Sequence, residues 1–96
     1  MTTIATASIV AQNTFTDAVR LAGYFNLSIS GTWAATVTVQ RSIDNSTWVD
    51  VDTFTTNSEE VGFEPEFMWY RAGVKTAGFT SGTVVIRLGR EDKDRH

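Results

Sequence analysis

The sequence predicts an all-β domain, an antiparallel β-sandwich of Ig-like or jelly-roll-like form with about seven to eight short strands. Three observations lead there. Apolar and polar residues alternate with period two along several segments, turn residues separate those segments, and no window shows a helical period. The clearest strand is 33–40, where Trp33, Ala35, Val37 and Val39 share one face and Ala34, Thr36, Thr38 and Gln40 the other.

The elements follow in chain order as 3–11, 14–20, 23–30, 33–43, 47–55, 59–64, 67–76 and 82–90. Phe25, Leu27 and Ile29 alternate with Asn26, Ser28 and Ser30, and Val84, Ile86 and Leu88 with Val85 and Arg87. Ser30-Gly31 divides two strands, and Asp44-Asn45-Ser46 closes a hairpin. Thr56-Asn57-Ser58 and the run Ala77-Gly78 to Ser81-Gly82 mark further turns. Pro65, the sole proline, marks a strand edge or corner because it has no N–H to donate. Residues 1–90 form one domain, and the charged run 91–96 reads as a flexible tail. In this register Val37→Asp or Ile86→Asp unfolds the domain, while Thr38→Asp is mild.

A chain of 96 residues with net charge −3 buries roughly 60–65% of its unfolded surface, which leaves modest stability. Mild acidity argues against nucleic acid, whose phosphates need clustered Lys and Arg. No run reaches the ~20 apolar residues of a membrane helix, and the amino terminus lacks the pattern of a signal peptide. Asn26-Leu27-Ser28 and Asn45-Ser46-Thr47 match the N-glycosylation pattern and, without secretion, read as chance matches. With no cysteine, disulfides and thiolate metal sites are excluded, so oligomerisation becomes the expected source of added stability.

Nucleophilic catalysis of the Ser-His-Asp or Cys-His kind needs groups this chain lacks, since its one histidine is His96. Carboxylates remain: Asp50, Asp52, Glu59, Glu60, Glu64 and Glu66. Two facing carboxylates would serve a glycosidase, and a converging loop would hold calcium. Because Asp50 and Asp52 alternate with Val49 and Val51, the favoured reading is a solvated strand face. No enzyme activity, metal or cofactor is expected.

The aromatic residues carry more information. Met68, Tyr70, Ala72 and Val74 claim the core face of 67–74, which places Phe67, Trp69 and Arg71 on the other. That strand is either central and covered on both sides, or Phe67 and Trp69 form an exposed patch. Tyr24, Trp48 and Phe54 also fall opposite their strands' core faces. Trp69, Phe67, Arg71, Tyr24, Trp48 and Phe54 are therefore the candidate interface residues. They could cap the core at strand ends, bind a protein partner, or stack on a sugar ring.

The run Val37-Thr38-Val39-Gln40-Arg41-Ser42-Ile43-Asp44-Asn45-Ser46-Thr47-Trp48-Val49-Asp50-Val51 resembles a hairpin that recurs in small structural proteins of tailed bacteriophages. The following segments Gly62-Phe63-Glu64-Pro65, Tyr70-Arg71-Ala72-Gly73-Val74-Lys75 and Phe79-Thr80-Ser81-Gly82 resemble the same family in order and spacing. The hairpin is also similar to the Asp-box of sialidases and other β-propellers, a folding motif, though it lacks the glycine and is one residue short. The strand pattern with Tyr70-Arg71-Ala72 looks like a fibronectin type III or immunoglobulin-like sandwich, which speaks to fold alone.

The phage resemblance implies a virion component, either a capsid decoration (cement) protein or a head or tail accessory. Such a protein is made in the host cytoplasm, associates with itself, and docks on a capsid or tail protein. A carbohydrate-binding module that recognises a cell-surface glycan is the alternative. Because the acidic residues alternate along strands instead of converging, EDTA should leave the melting temperature unchanged. A drop of several degrees that calcium restores would establish a metal site instead.

Overall fold

The computed structural model describes the backbone of residues 2–91 and the side chains of residues 4–90. These residues contain no helix. They form five strands: β1 (Thr2–Ile9), β2 (Thr14–Phe15), β3 (Val19–Ser42), β4 (Val49–Phe54) and β5 (Ser58–Glu91). All pairings are antiparallel in a single sheet of order β1-β5-β3-β4, and β2 also pairs with β5. The expected seven to eight strands become five because backbone pairing runs on through the expected turns. Segments 23–30 and, except for Ile43, 33–43 both lie in β3, and 59–64, 67–76 and 82–90 all lie in β5. Segment 14–20 is broken at residues 16–18. Glu91 ends β5, and residues 92–96, the rest of the expected tail, lie outside the described residues.

Straight strands of 24 and 34 residues would span roughly 80 and 110 Å at ~3.3 Å per residue. The longest dimension of the molecule is 41 Å, so both strands must bend. The register shows where. Ile29 of β3 has Ser58 on one flank and Ile86 on the other, and both partners belong to β5. Tyr70 of β5 in turn lies between Val19 and Arg41, both of β3. Residues 23–29 thus run between 58–64 and 86–89, with β1 beyond the latter. Residues 68–74 run between 37–42 and the segment made by β2 and 19–21, with β4 beyond 37–42.

Irregularities in pairing supply the bends. Between Leu21 and Gly23 the register against β5 slips, leaving Pro65, Glu66 and Phe67 bulged opposite Ala22. Pro65 therefore marks a corner, as its missing N–H requires. A second slip lies where Ala35 meets Phe79 and Val37 meets Val74, beside Ala77 with its φ of 69°. At Gly31 the backbone adopts φ 100°, and a Cβ there would stand 2.5 Å from the Thr83 carbonyl oxygen. Ser30-Gly31 is therefore a bend within a strand, not a turn between two.

The core is one cluster drawn from both halves of the sheet. Phe25, Leu27 and Ile29 meet Val37, Val39, Met68, Tyr70, Ala72, Val74, Val84, Ile86 and Leu88, with Ala5 and Ile9 from β1. Period-two alternation placed most of these side chains correctly, and Trp33 and Ala35 sit half-buried against them. Phe25 and Tyr70 touch across the core with ring centroids 4.8 Å apart.

One expectation fails at β3. Val37, Thr38, Val39 and Gln40 are all buried, so this stretch is covered on both faces. Thr38 lies opposite Gly73, which is itself opposite Phe15 of β2. A Cβ on Gly73 would stand 2.2 Å from the Thr14 carbonyl oxygen, so glycine is what lets β2 close over this face. Thr38→Asp should therefore destabilise the fold about as much as Val37→Asp, by several kcal/mol, since each buries an unpaired carboxylate. Urea unfolding against the exposed control Thr36→Asp checks this, and a Thr38→Asp variant as stable as the control would show that the outer face is open.

Candidate functional site

The outer face of 68–74 carries a polar and aromatic layer built on Arg71. Its guanidinium carbon lies 4.4 Å from the Phe15 ring centroid and 4.3 Å from that of Trp48. Arg71 Nε donates to Gln40 Oε1 at 2.8 Å, and Gln40 Nε2 donates to Asp50 Oδ1 at 2.8 Å. Lys75 Nζ completes the chain to Asp50 Oδ2 at 2.6 Å. Burial pulls the Arg71 pKa down, while the Lys75 ammonium and then the Gln40 amide hold the Asp50 carboxyl below its ordinary value. Every polar group named here already has a partner, so the layer ties β2, β3, β4 and β5 together.

The loop that brings Trp48 into place is organised by Asp44. Its Oδ1 accepts from the Thr47 N–H at 2.8 Å, the Ser46 N–H at 2.9 Å and the Ser42 hydroxyl at 2.9 Å. Those bonds, the Thr47 amide first, hold the Asp44 carboxyl below its usual range. Asn45 between them adopts φ 60°, which asparagine tolerates better than most residues. The hairpin that resembles an Asp-box thus folds around its aspartate.

A second polar cluster overturns part of the acidic reading. Asp50, Asp52, Glu59, Glu60 and Glu66 are exposed, but Glu64 is 2% exposed. Arg41 holds it with a two-pronged contact, Nε to Oε1 at 2.7 Å and Nη2 to Oε2 at 2.9 Å. The Tyr70 hydroxyl donates to Glu64 Oε1 at 2.7 Å. The Arg41 contact keeps the Glu64 carboxyl below its ordinary 4.5 against the opposing pull of burial. Burial first, and then the carboxylate, push the Tyr70 hydroxyl up to about 12.

The six candidate interface residues separate into distinct places. Arg71 and Trp48 are half-buried and stacked on each other. Trp69 is half-buried on the outer face, flanked in register by Arg20 and Ser42. Phe67 is 59% exposed on the bulge, with the Arg20 guanidinium carbon 4.6 Å from its ring centroid. Tyr24 is 70% exposed and lies directly opposite Phe63, itself 58% exposed, with ring centroids 4.8 Å apart. Phe54 does not face outward. It is half-buried against the core opposite Val37, because a bulge at Val39/Gln40 resets the phase of β4 and leaves Val51 unpaired and exposed, while Val49, opposite Arg41, is exposed as well.

The outward patch is therefore Tyr24, Phe63 and Val61, with Phe67 further along β5. Phe63 and Val61 were not singled out from the sequence. Their signal was available, since Phe63 and Val61 occupy the phase opposite Gly62, whose Cβ would strike the Phe25 ring. Among the described residues no group of three or more His, Cys, Asp or Glu is placed to hold a metal ion. The chain matches no known family model, and neither a curated protein nor a solved structure shows significant similarity to it.

A carboxyl whose folded pKa lies below its unfolded value stabilises the fold above the unfolded pKa and loses that contribution as pH falls. For Glu64 the loss should begin near its ordinary 4.5 and continue through its lower folded value. Glu64→Gln should cost about 2 kcal/mol at neutral pH, less than a fully buried pair because Arg41 regains water. Urea unfolding from pH 7 to pH 3 should show the difference between variant and wild type shrinking with acid. A constant difference would place the acid sensitivity elsewhere.

Proposed function

We propose that this chain is a non-catalytic structural component of a tailed-phage virion, a capsid decoration (cement) protein or a head or tail accessory. It acts by associating with itself and docking on a larger capsid or tail protein, after synthesis in the host cytoplasm. The observation that carries the assembly reading is the outward patch of Tyr24, Phe63 and Val61, 58–70% exposed and adjacent in register. Adjacent solvated aromatic rings are poorly tolerated without a use, and each can bury about 150–250 Å² against a partner. Support for the virion setting comes from the resemblance in 37–51, 62–65, 70–75 and 79–82, segments that the fold gathers into β3, β4 and β5.

The sandwich form belongs to the same reading. β3 and β5 each contribute to two four-segment halves of the sheet, and one core is shared between them, as two packed layers would share it. A glycan-binding role has weaker support, because Trp48 has Arg71 on its ring and Trp69 is half-buried.

Light scattering over a concentration series, with capture of virion proteins by the immobilised chain, tests the reading. The double variant Tyr24→Ser/Phe63→Ser should keep its far-ultraviolet spectrum and weaken association about thirtyfold or more, as loss of central aromatic anchors does. A wild type that stays monomeric throughout and captures no virion protein would overturn the proposal.

A further inference from the structure

Two strand edges lie free beside each other on the side of the molecule where β4 leads into β5. Among the described residues, β4 and residues 58–63 of β5 each pair with β3 on one flank alone. One row of backbone N–H and C=O groups on each is therefore open to another strand. The linking residues 55–57 are pinned by Asn57. Its Oδ1 accepts from Trp33 Nε1 at 2.7 Å, and its Nδ2 donates to the Gly31 carbonyl at 3.0 Å. From that anchor the two edges frame a groove of about 200 Å3.

The floor of the groove reaches the core at Phe25, Leu27, Val39 and Tyr70, and Val51, Phe54, Val61 and Phe63 stand in its walls. Its charge has one sign. Asp52 and Glu60 line it and no cation does. Asp52 pairs opposite Val39 and Glu60 opposite Leu27, so one carboxylate stands on each free edge, in phase with side chains that point to the core. Val49–Phe54 and residues 58–63 contain no lysine, arginine or proline, and all their charged residues are carboxylates: Asp50, Asp52, Glu59 and Glu60.

That charge also selects between occupants. Two copies of this chain joined here would set Asp and Glu against Asp and Glu, and like charges facing across strands are destabilising. A cationic strand meets the opposite field and gains both backbone hydrogen bonds and an apolar floor.

We propose that the groove between β4 and residues 58–63 is a strand-addition site for an extended, basic segment of a partner protein. The segment carries apolar side chains at alternate positions over the groove, with Lys or Arg reaching Asp52 and Glu60. The groove borders the Tyr24–Phe63 face and shares Val61 and Phe63 with it, but a test with peptides needs neither a virion protein nor self-association, so either proposal can fail alone.

The probe is a nine-residue peptide with valine at alternate positions and lysine between them, titrated into the full chain at low ionic strength. Binding should shift the backbone amide resonances of 49–54 and 58–63 ahead of all others. A counterpart with glutamate for lysine should bind at least tenfold more weakly, and N-methylation of alternate peptide amides should abolish binding. Asp52→Asn/Glu60→Gln should weaken the lysine peptide roughly five- to tenfold, as the loss of two exposed ion pairs implies. Equal affinity for the two peptides, shifts that fall elsewhere, or a dimer of the chain that fills the groove would each overturn the proposal.

Discussion

A strand of 24 residues paired along most of its length with one of 34 has to curl, and the molecule is organised around how that curl is held. β3 lies beside β5 twice, once on each flank, so neither strand can straighten without breaking the other's pairing. The clamp of Arg41, Glu64 and Tyr70 sits at the turn of this path. Glu64 precedes the Pro65 corner, Tyr70 follows it, and Arg41 comes from the far end of β3. A buried ion pair contributes little net energy when weighed against apolar packing, but it penalises alternatives that leave one partner bare. Here the alternative is a slipped register at the bulge, which would separate Glu64 from both its partners.

How much of this could be read from residues alone depends on where the strand phase is preserved. Within uninterrupted pairing, alternation identified Phe25, Leu27, Ile29, Val37, Val39, Tyr70, Val84, Ile86 and Leu88 as inward. It also set Tyr24 and Phe67 opposite the core face, leaving open whether they were covered, and both are exposed. At a bulge the phase resets, and nothing in the apolar pattern of 47–55 announced that Phe54 rather than Val49 or Val51 would face the core. Glu64 was misread for another reason. Charged residues mostly lie exposed, yet Glu64 continues the phase of Met68 and Tyr70 just as Arg41 continues that of Val37 and Val39. Opposite charges on two inward phases were the legible sign of the clamp. Strand number was illegible because Gly31, Gly82 and Ala77 look like turns in sequence but are bends within pairing that continues.

The outer layer shows why the candidate residues separated. Arg71 and Trp48 looked available because each lies opposite a core face. Their availability depends on β2, two residues long, whose Phe15 forms the other side of the Arg71 stack. A covering element that short leaves almost no periodic signal. Tyr24 has no such cover, since what lies opposite it is Phe63, a second exposed ring. The exposed Tyr24–Phe63 pair therefore lies outside the layer that covers Trp48 and Arg71.

The register of β1 bears on how the fold assembles. Thr2 lies opposite Glu91 and Ile9 opposite Val84, so the first strand has no local partner at all. Of the strand pairings, that between β3 and β4 closes over the shortest loop, and its turn is pre-shaped by Asp44. High contact order of this kind slows folding, because loop-closure entropy is lost before the distant pairs form. Loop length alone favours an order in which the β3–β4 hairpin forms first, β5 wraps it, and β1 joins last. Until then residues 84–91 present a bare edge, so the interval before β1 docks is when the chain is most open to pairing with a neighbour.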